Sequence, residues 1–124
     1  MSSGCPFCDL PSGDRVLENG LAIAFYDRFP VSPGHLLIIP RRHVASYFEA
    51  TADEQTALME LVTLGKDKLD QEFHPDGYNI GINVGTVAGQ TVPHLHIHLI
   101  PRYQGDQVDP RGGVRGVIPE KQKY

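Results

Sequence analysis

The stretch His94-Leu95-His96-Ile97-His98-Leu99-Ile100-Pro101 spaces three histidines with single apolar residues. Read as a strand, whose side chains alternate between faces, it aims all three imidazoles at one side while Leu95, Ile97 and Leu99 pack beneath. A solvated strand face is one account of such a row. A catalytic metal site is a second, because imidazoles two apart on a strand can chelate one zinc with a third ligand and leave a position open for water. The third is nucleophilic catalysis, in which a ring with one nitrogen held by a hydrogen bond presents the other to an electrophile and forms a covalent intermediate. The preceding loop, Gly85-Thr86-Val87-Ala88-Gly89-Gln90-Thr91, favours this third account with phosphorus as the electrophile, since its amides and hydroxyls can hold phosphoryl oxygens. It contains no lysine, which excludes a Walker-type triphosphate loop.

Upstream of that loop, Ile80, Ile82 and Val84 alternate with Asn79, Gly81 and Asn83, so residues 78–84 read as a strand with one apolar and one small, polar face. The turn Pro75-Asp76-Gly77 closes a helix that begins at the capping-box pattern of Thr51 to Glu54 and buries Leu58, Leu61, Val62, Gly65 and Leu69. Before it, Phe29 to Gly34 is turn chemistry leading into His35-Leu36-Leu37-Ile38-Ile39, a buried strand closed by Pro40 on which His35, Leu37 and Ile39 share a face. Residues 16–18 and 21–27 read as a hairpin joined by Asn19-Gly20, a dipeptide that supplies positive φ, with Phe25 and Asp27 on one face. The expected fold is therefore α+β: about five antiparallel strands, one main helix on one face, and polar groups on the other. Residues 1–124 are expected to form one domain, with a core over about 5–102 and a tail from 103 to 124 that shows no convincing period.

The chain has 124 residues, 11 Lys plus Arg against 15 Asp plus Glu, and a formal charge of −4. With no long basic run it lacks the clustered cations that duplex nucleic acid requires. Apolar runs such as Leu36 to Ile39 fall far short of a bilayer span, so no membrane partner is expected. Residues 1–5 lack the charged start and apolar stretch of a secretory signal, and a cytoplasmic location is expected. In a reducing compartment Cys5 and Cys8 suit metal better than a disulfide. Two thiolates need two more ligands to close a zinc tetrahedron, and His43 and His94 are candidates. Free thiols or a redox pair are the alternatives, the latter without its usual βαβ context.

The alternating row at residues 94–100 resembles the histidine-triad motif. The resemblance extends to Phe25-Tyr26-Asp27, to residues 33–40, to Asn83-Val84-Gly85 and to Ala88-Gly89-Gln90-Thr91-Val92, covering roughly Cys5 to Arg102. It implies a nucleotide hydrolase in which His96 attacks the α-phosphorus and forms a nucleotidyl-histidine that water hydrolyses. It implies that the His94 carbonyl fixes the inner nitrogen of His96, that His98 contacts the phosphate and leaving group, and that His35 completes the site. Asn83, Gln90 and Thr91 become phosphate donors, Asp27 the acceptor of the ribose hydroxyls, and Phe7, Phe25 and Leu37 an apolar slot for a purine base.

Histidine at position 98, where the sugar-phosphate transferases carry glutamine, points to hydrolysis. Asn83 matches the phosphoramidate-cleaving branch, whereas residues 88–92 look like the dinucleoside polyphosphate hydrolases. The same resemblance implies a structural zinc held by Cys5, Cys8, His43 and His94, no organic cofactor, and a homodimer in which two sheets join. Arg111 and Arg115 are within reach of a polyphosphate or are ordinary solvated loop residues, the second being preferred. The rival to the enzyme is an adaptor or sensor that holds a purine nucleotide in the same pocket without turning it over.

Overall fold

The run Leu36–Pro40 forms β3, the middle of a five-stranded antiparallel sheet, in a computed structural model that describes residues 3–124. All five of its residues are buried, as expected where both faces of a central strand are covered. The other strands are β1 (Arg15–Glu18), β2 (Ala22–Tyr26), β4 (Gly77–Ile82) and β5 (Ile97–Arg102), arranged in the order β1-β2-β3-β5-β4. The first two residues of the N-terminal stretch read for a leader lie outside the described residues.

One face of the sheet carries rows of apolar side chains, with Ala24 opposite Ile38, Ile38 opposite Ile97, and Leu36 opposite Leu99. Helix α1 (Ala52–Phe73) lies on this face and contributes Leu58, Leu61, Val62 and Leu69, the stripe that its 3.6-residue period predicts. Gly65 marks the closest approach: a Cβ there would stand 3.1 Å from Leu99 and 3.2 Å from Leu36. The helix starts as the sequence indicates. Thr51 Oγ1 accepts the Glu54 N–H at 3.1 Å and Glu54 Oε1 accepts the Thr51 N–H at 2.9 Å. Arg42 then grips the same carboxylate with two N–H groups, at 2.8 and 3.1 Å. That grip holds the buried Glu54 carboxyl down to about 2. His74, in the left-handed region at φ 52°, ends the helix.

Three details differ from the sequence reading. The β1–β2 turn uses no positive φ; instead Asn19 Oδ1 accepts the N–H groups of Leu21 (3.1 Å) and Ala22 (2.8 Å), an Asx turn. Strand β5 begins at Ile97 rather than His94, because the backbone groups of His94 and Leu95 bond elsewhere. The Leu95 N–H donates to the Val44 carbonyl at 2.7 Å, and the His94 carbonyl accepts from the His96 ring. The tail, read as aperiodic, folds into short 3-10 turns at Gly113–Val117 and Pro119–Lys121. Among the described residues no helix is long and apolar enough to cross a membrane.

Candidate active site

On the face away from α1, Phe25 lies opposite Leu37 and Leu37 opposite His98. One cross-sheet row thus runs from an aromatic ring to an imidazole. Ile23, Phe25, Leu37 and Ile39 form a second apolar cluster here, capped by Phe7 and Leu10 from the N-terminal segment. Above it opens a cavity of about 440 Å³ lined by Phe7, Phe25, Asp27, Leu37, Asn83, Thr91, His96 and His98. Eight of the sequence-predicted site residues therefore meet in one space of the size that holds a small ligand. Arg28, Phe29 and Leu10 also line it. Nothing in their sequence pattern singled them out, since an Arg-Phe pair in a turn carries no period.

Hydrogen-bond partners fix which nitrogen of each ring carries its proton. His96 Nδ1 lies 2.9 Å from the His94 carbonyl oxygen, which can only accept. In the neutral ring the proton is therefore on Nδ1 and the lone pair on Nε2. His98 is set the opposite way. The Val31 N–H donates to His35 Nδ1 at 3.2 Å, so neutral His35 carries its proton on Nε2, which donates to His98 Nδ1 at 2.9 Å. His98 must then keep its own proton on Nε2. Burial pushes His35 below the ordinary imidazole range and, with the neighbouring His96 and His35 rings, pushes His98 down to about 4. Asp27 Oδ1 accepts the Phe29 N–H at 2.9 Å, which orients the carboxylate, while its second oxygen lies 3.5 Å from His35 Nε2.

Gln90 is placed differently from the other expected phosphate donors. Its amide nitrogen donates to the carbonyls of Ala45 (2.8 Å) and Val92 (3.1 Å), and its oxygen accepts the Gly85 N–H at 2.9 Å. Both of its N–H groups are thus spent on shaping the loop that carries Thr91.

His94 faces away from this cavity's chemistry. Its Nε2 donates to the Pro40 carbonyl at 2.9 Å, so its Nδ1 is a lone pair, and this points at Cys5 Sγ (3.5 Å), Cys8 Sγ (3.4 Å) and His43 Nδ1 (3.2 Å). Cys8 Sγ lies 3.1 Å from His43 Nδ1. Zinc bond lengths place tetrahedral ligand atoms about 3.3–3.8 Å apart. The two Cys–His94 distances lie in that range and the two to His43 a little below it, so a small outward shift of His43 would let this set hold one tetrahedral ion, with the Pro40 carbonyl supporting the His94 ring. A second group able to hold a metal, Asp27, His35 and His98, lies at the cavity, and among the described residues no such group includes His96. In the tail, Arg111 is paired with Asp109 at 2.9 Å, and Arg115 donates to the Lys121 carbonyl at 2.8 Å and stacks on Tyr124. Both are held within the tail.

A sheet with one helix behind it and paired imidazoles in front defines a small-ligand site built on histidine. The sequence matches the HIT domain family over residues 12–105, and the chain belongs to that family. It is 40% identical over 101 residues to the bis(5'-nucleosyl)-tetraphosphatase [asymmetrical] of Schizosaccharomyces pombe, covering 81% of this chain and 56% of that protein. It is 35% identical over 102 residues to adenosine 5'-monophosphoramidase hnt1 of the same yeast, covering 79% and 74%. A zinc-bound histidine triad family protein from Mycobacterium smegmatis superposes with a TM-score of 0.76 at 32% identity, covering 86% of this chain and 80% of that one.

Proposed function

We propose that this protein hydrolyses a nucleotide at its α-phosphate, either a dinucleoside polyphosphate or a nucleoside phosphoramidate, through a covalent bond to His96. The observation that carries the reading is the 2.9 Å contact between His96 Nδ1 and the His94 carbonyl, which leaves the Nε2 lone pair on the cavity. In the first step Nε2 attacks phosphorus, the bond to the leaving group breaks, and its electron pair leaves with that group. His98 Nε2–H hydrogen-bonds the leaving atom and keeps its proton, its ring being held from the far side by the His35 N–H, and the departing group takes its proton from solvent. Water then attacks the phosphorus, the bond to His96 Nε2 breaks with its electron pair returning to the ring, the water's proton passes to solvent, and the nucleoside monophosphate is released. Asn83 and Thr91 hold the phosphoryl oxygens, Asp27 takes the ribose hydroxyls, and Phe7, Phe25 and Leu37 take a purine.

Zinc in the Cys5, Cys8, His43 and His94 cluster would tie the N-terminal segment to the peptide that orients His96. The outer edge of β4, with Ile80 and Val84 half exposed beside it, suits pairing with a second copy as a homodimer. The paired thiol ligands suit the reducing cytoplasm.

The test is rapid mixing with labelled dinucleoside polyphosphate and adenosine phosphoramidate, quenched in alkali, which preserves a phosphorus–nitrogen bond. Label on wild-type protein and none on His96→Ala supports the reading. Binding of AMP without label or turnover would replace it with the adaptor.

A further inference from the structure

Arg28 lines the nucleotide cavity, and no other arginine or lysine does. It is also the one arginine that the fold leaves uncommitted. Arg15 and Arg41 pair with Glu18, Arg42 with Glu54, Arg102 with Asp106 and Arg111 with Asp109, while Arg115 donates to the Lys121 and Gln122 carbonyls. Arg28 is exposed and has no hydrogen-bond or ion-pair partner among the described residues. Its neighbour Asp27 is turned elsewhere, with Oδ1 accepting the Phe29 N–H at 2.9 Å and Oδ2 lying 3.5 Å from His35 Nε2. That first bond closes an Asx turn across Arg28, so its backbone is pinned while its guanidinium stays free at the cavity.

We propose that Arg28 reads the base of the bound nucleotide and selects guanine over adenine. The inference rests on the reading of this cavity as a nucleotide site and is independent of turnover. Phe7, Leu10, Phe25 and Leu37 form apolar walls that hold the flat face of any purine and offer its edge no polar side chain. Discrimination between purines therefore needs a group at the edge. A guanidinium is a planar fork of donors with no acceptor. Guanine presents two neighbouring acceptors, O6 and N7, which such a fork takes together. Adenine presents N7 beside an amino group, so one donor of the fork meets another donor.

Position favours the base over a phosphate as the partner. Arg28 follows Asp27 directly in the chain, and Asp27 is the carboxylate that takes the ribose in the proposed hydrolysis. The base hangs from that same ribose. The groups assigned to phosphate come from elsewhere in the fold: Asn83 and Thr91 from the segment after β4, and His98 from β5.

The test is calorimetric titration of the full chain with GMP, IMP, 7-deaza-GMP and AMP, and with guanosine and adenosine. GMP is expected to bind about tenfold more tightly than AMP, the gain from one bidentate pair open to solvent. IMP, which lacks the 2-amino group but keeps O6 and N7, should match GMP, and 7-deaza-GMP should lose most of the gain. Guanosine should exceed adenosine by the same ratio, which puts the contact on the base. Arg28→Met should bring GMP down to the AMP level and leave AMP nearly unchanged, which also shows that the variant is folded. Arg28→Lys keeps the charge without the fork and should retain at most a small part of the preference. Equal affinity for GMP and AMP in wild type, or a preference that survives Arg28→Met, overturns the proposal. So does a preference seen with the nucleotides and absent with the nucleosides, since Arg28 then serves phosphate. Equal, measurable binding of GMP and AMP defeats this proposal alone, whereas failure to bind any of the ligands defeats the nucleotide reading with it.

Discussion

The rings of His96 and His98 lie 5.1 Å apart centre to centre and carry their protons on opposite nitrogens. One presents a lone pair to the cavity and the other an N–H. A lone pair and an N–H are thereby presented by the same kind of side chain, and the difference lies wholly in the second nitrogen of each ring. His96 leans on a carbonyl, while His98 leans on an N–H relayed from Val31 through His35.

In the proposed hydrolysis His35 acts as a positioning residue. His35→Ala frees His98 to flip its tautomer, and turnover should fall by about 10- to 100-fold with substrate affinity nearly unchanged. His96→Ala should remove covalent labelling altogether. Comparing kcat with KM in single-turnover experiments separates the two effects, and a His35→Ala enzyme with wild-type kcat would refute the relay.

Stability should fall as pH drops from about 6.5 toward 4. His98 titrates near 4 in the folded protein and an unfolded imidazole near 6.5, so between those values the unfolded chain binds more protons and is favoured. His35, also lowered by burial, adds to the same slope. Urea midpoints measured across this range, in wild type and in His98→Asn, should show a flatter profile for the variant. Equal slopes would contradict the assignment.

The Cys5, Cys8, His43 and His94 cluster predicts about one zinc per chain by elemental analysis, lost in Cys8→Ala. Chelation should lower the melting temperature, and activity should decline only as structure is lost. Immediate loss of turnover at full structure would instead make the metal part of the chemistry.

Glu54→Ala removes both the capping box and the Arg42 clamp, and should cost about 2 kcal/mol, seen as a drop of about 8 °C in Tm. The Glu54 contribution is present above the ordinary carboxyl value of about 4.5 and fades as pH falls toward 2, so the variant and wild type should converge in acid.

Alternation marks β2, β4 and β5, a continuous apolar run marks β3, the Asn19-Gly20 turn marks β1, and the capping box with its 3.6-residue stripe marks the helix, while the start of β5 falls three residues later than alternation places it. Phe25 and Asp27 were paired on one face by alternation alone, and both line the cavity. What the residues did not show is the division of labour among the histidines. Period-two spacing treats residues 94, 96 and 98 as equals. The break in the ladder before Ile97 depends instead on Val44, which lies about fifty positions upstream. Likewise Gln90 looks like a free donor in sequence because the carbonyls that occupy it come from Ala45 and Val92. The tail is hard to read for a related reason: its turns are held by short backbone hydrogen bonds and by Arg115 on the Lys121 and Gln122 carbonyls, with room left by Gly112 and Gly116, and none of these follows a period.

The row from Phe25 through Leu37 to His98 crosses three adjacent strands. Neighbouring strands are held about 4.8 Å apart by backbone hydrogen bonds, so the main-chain anchors of Phe25 and His98 stand about 10 Å apart. The sheet is thus a ruler. In the proposed hydrolysis a ligand that reaches from the Phe25 end to the His98 end needs about that length, and a shorter one reaches one end only. Selection by length is in this way built into the peptide backbone, where side-chain substitution cannot easily erode it.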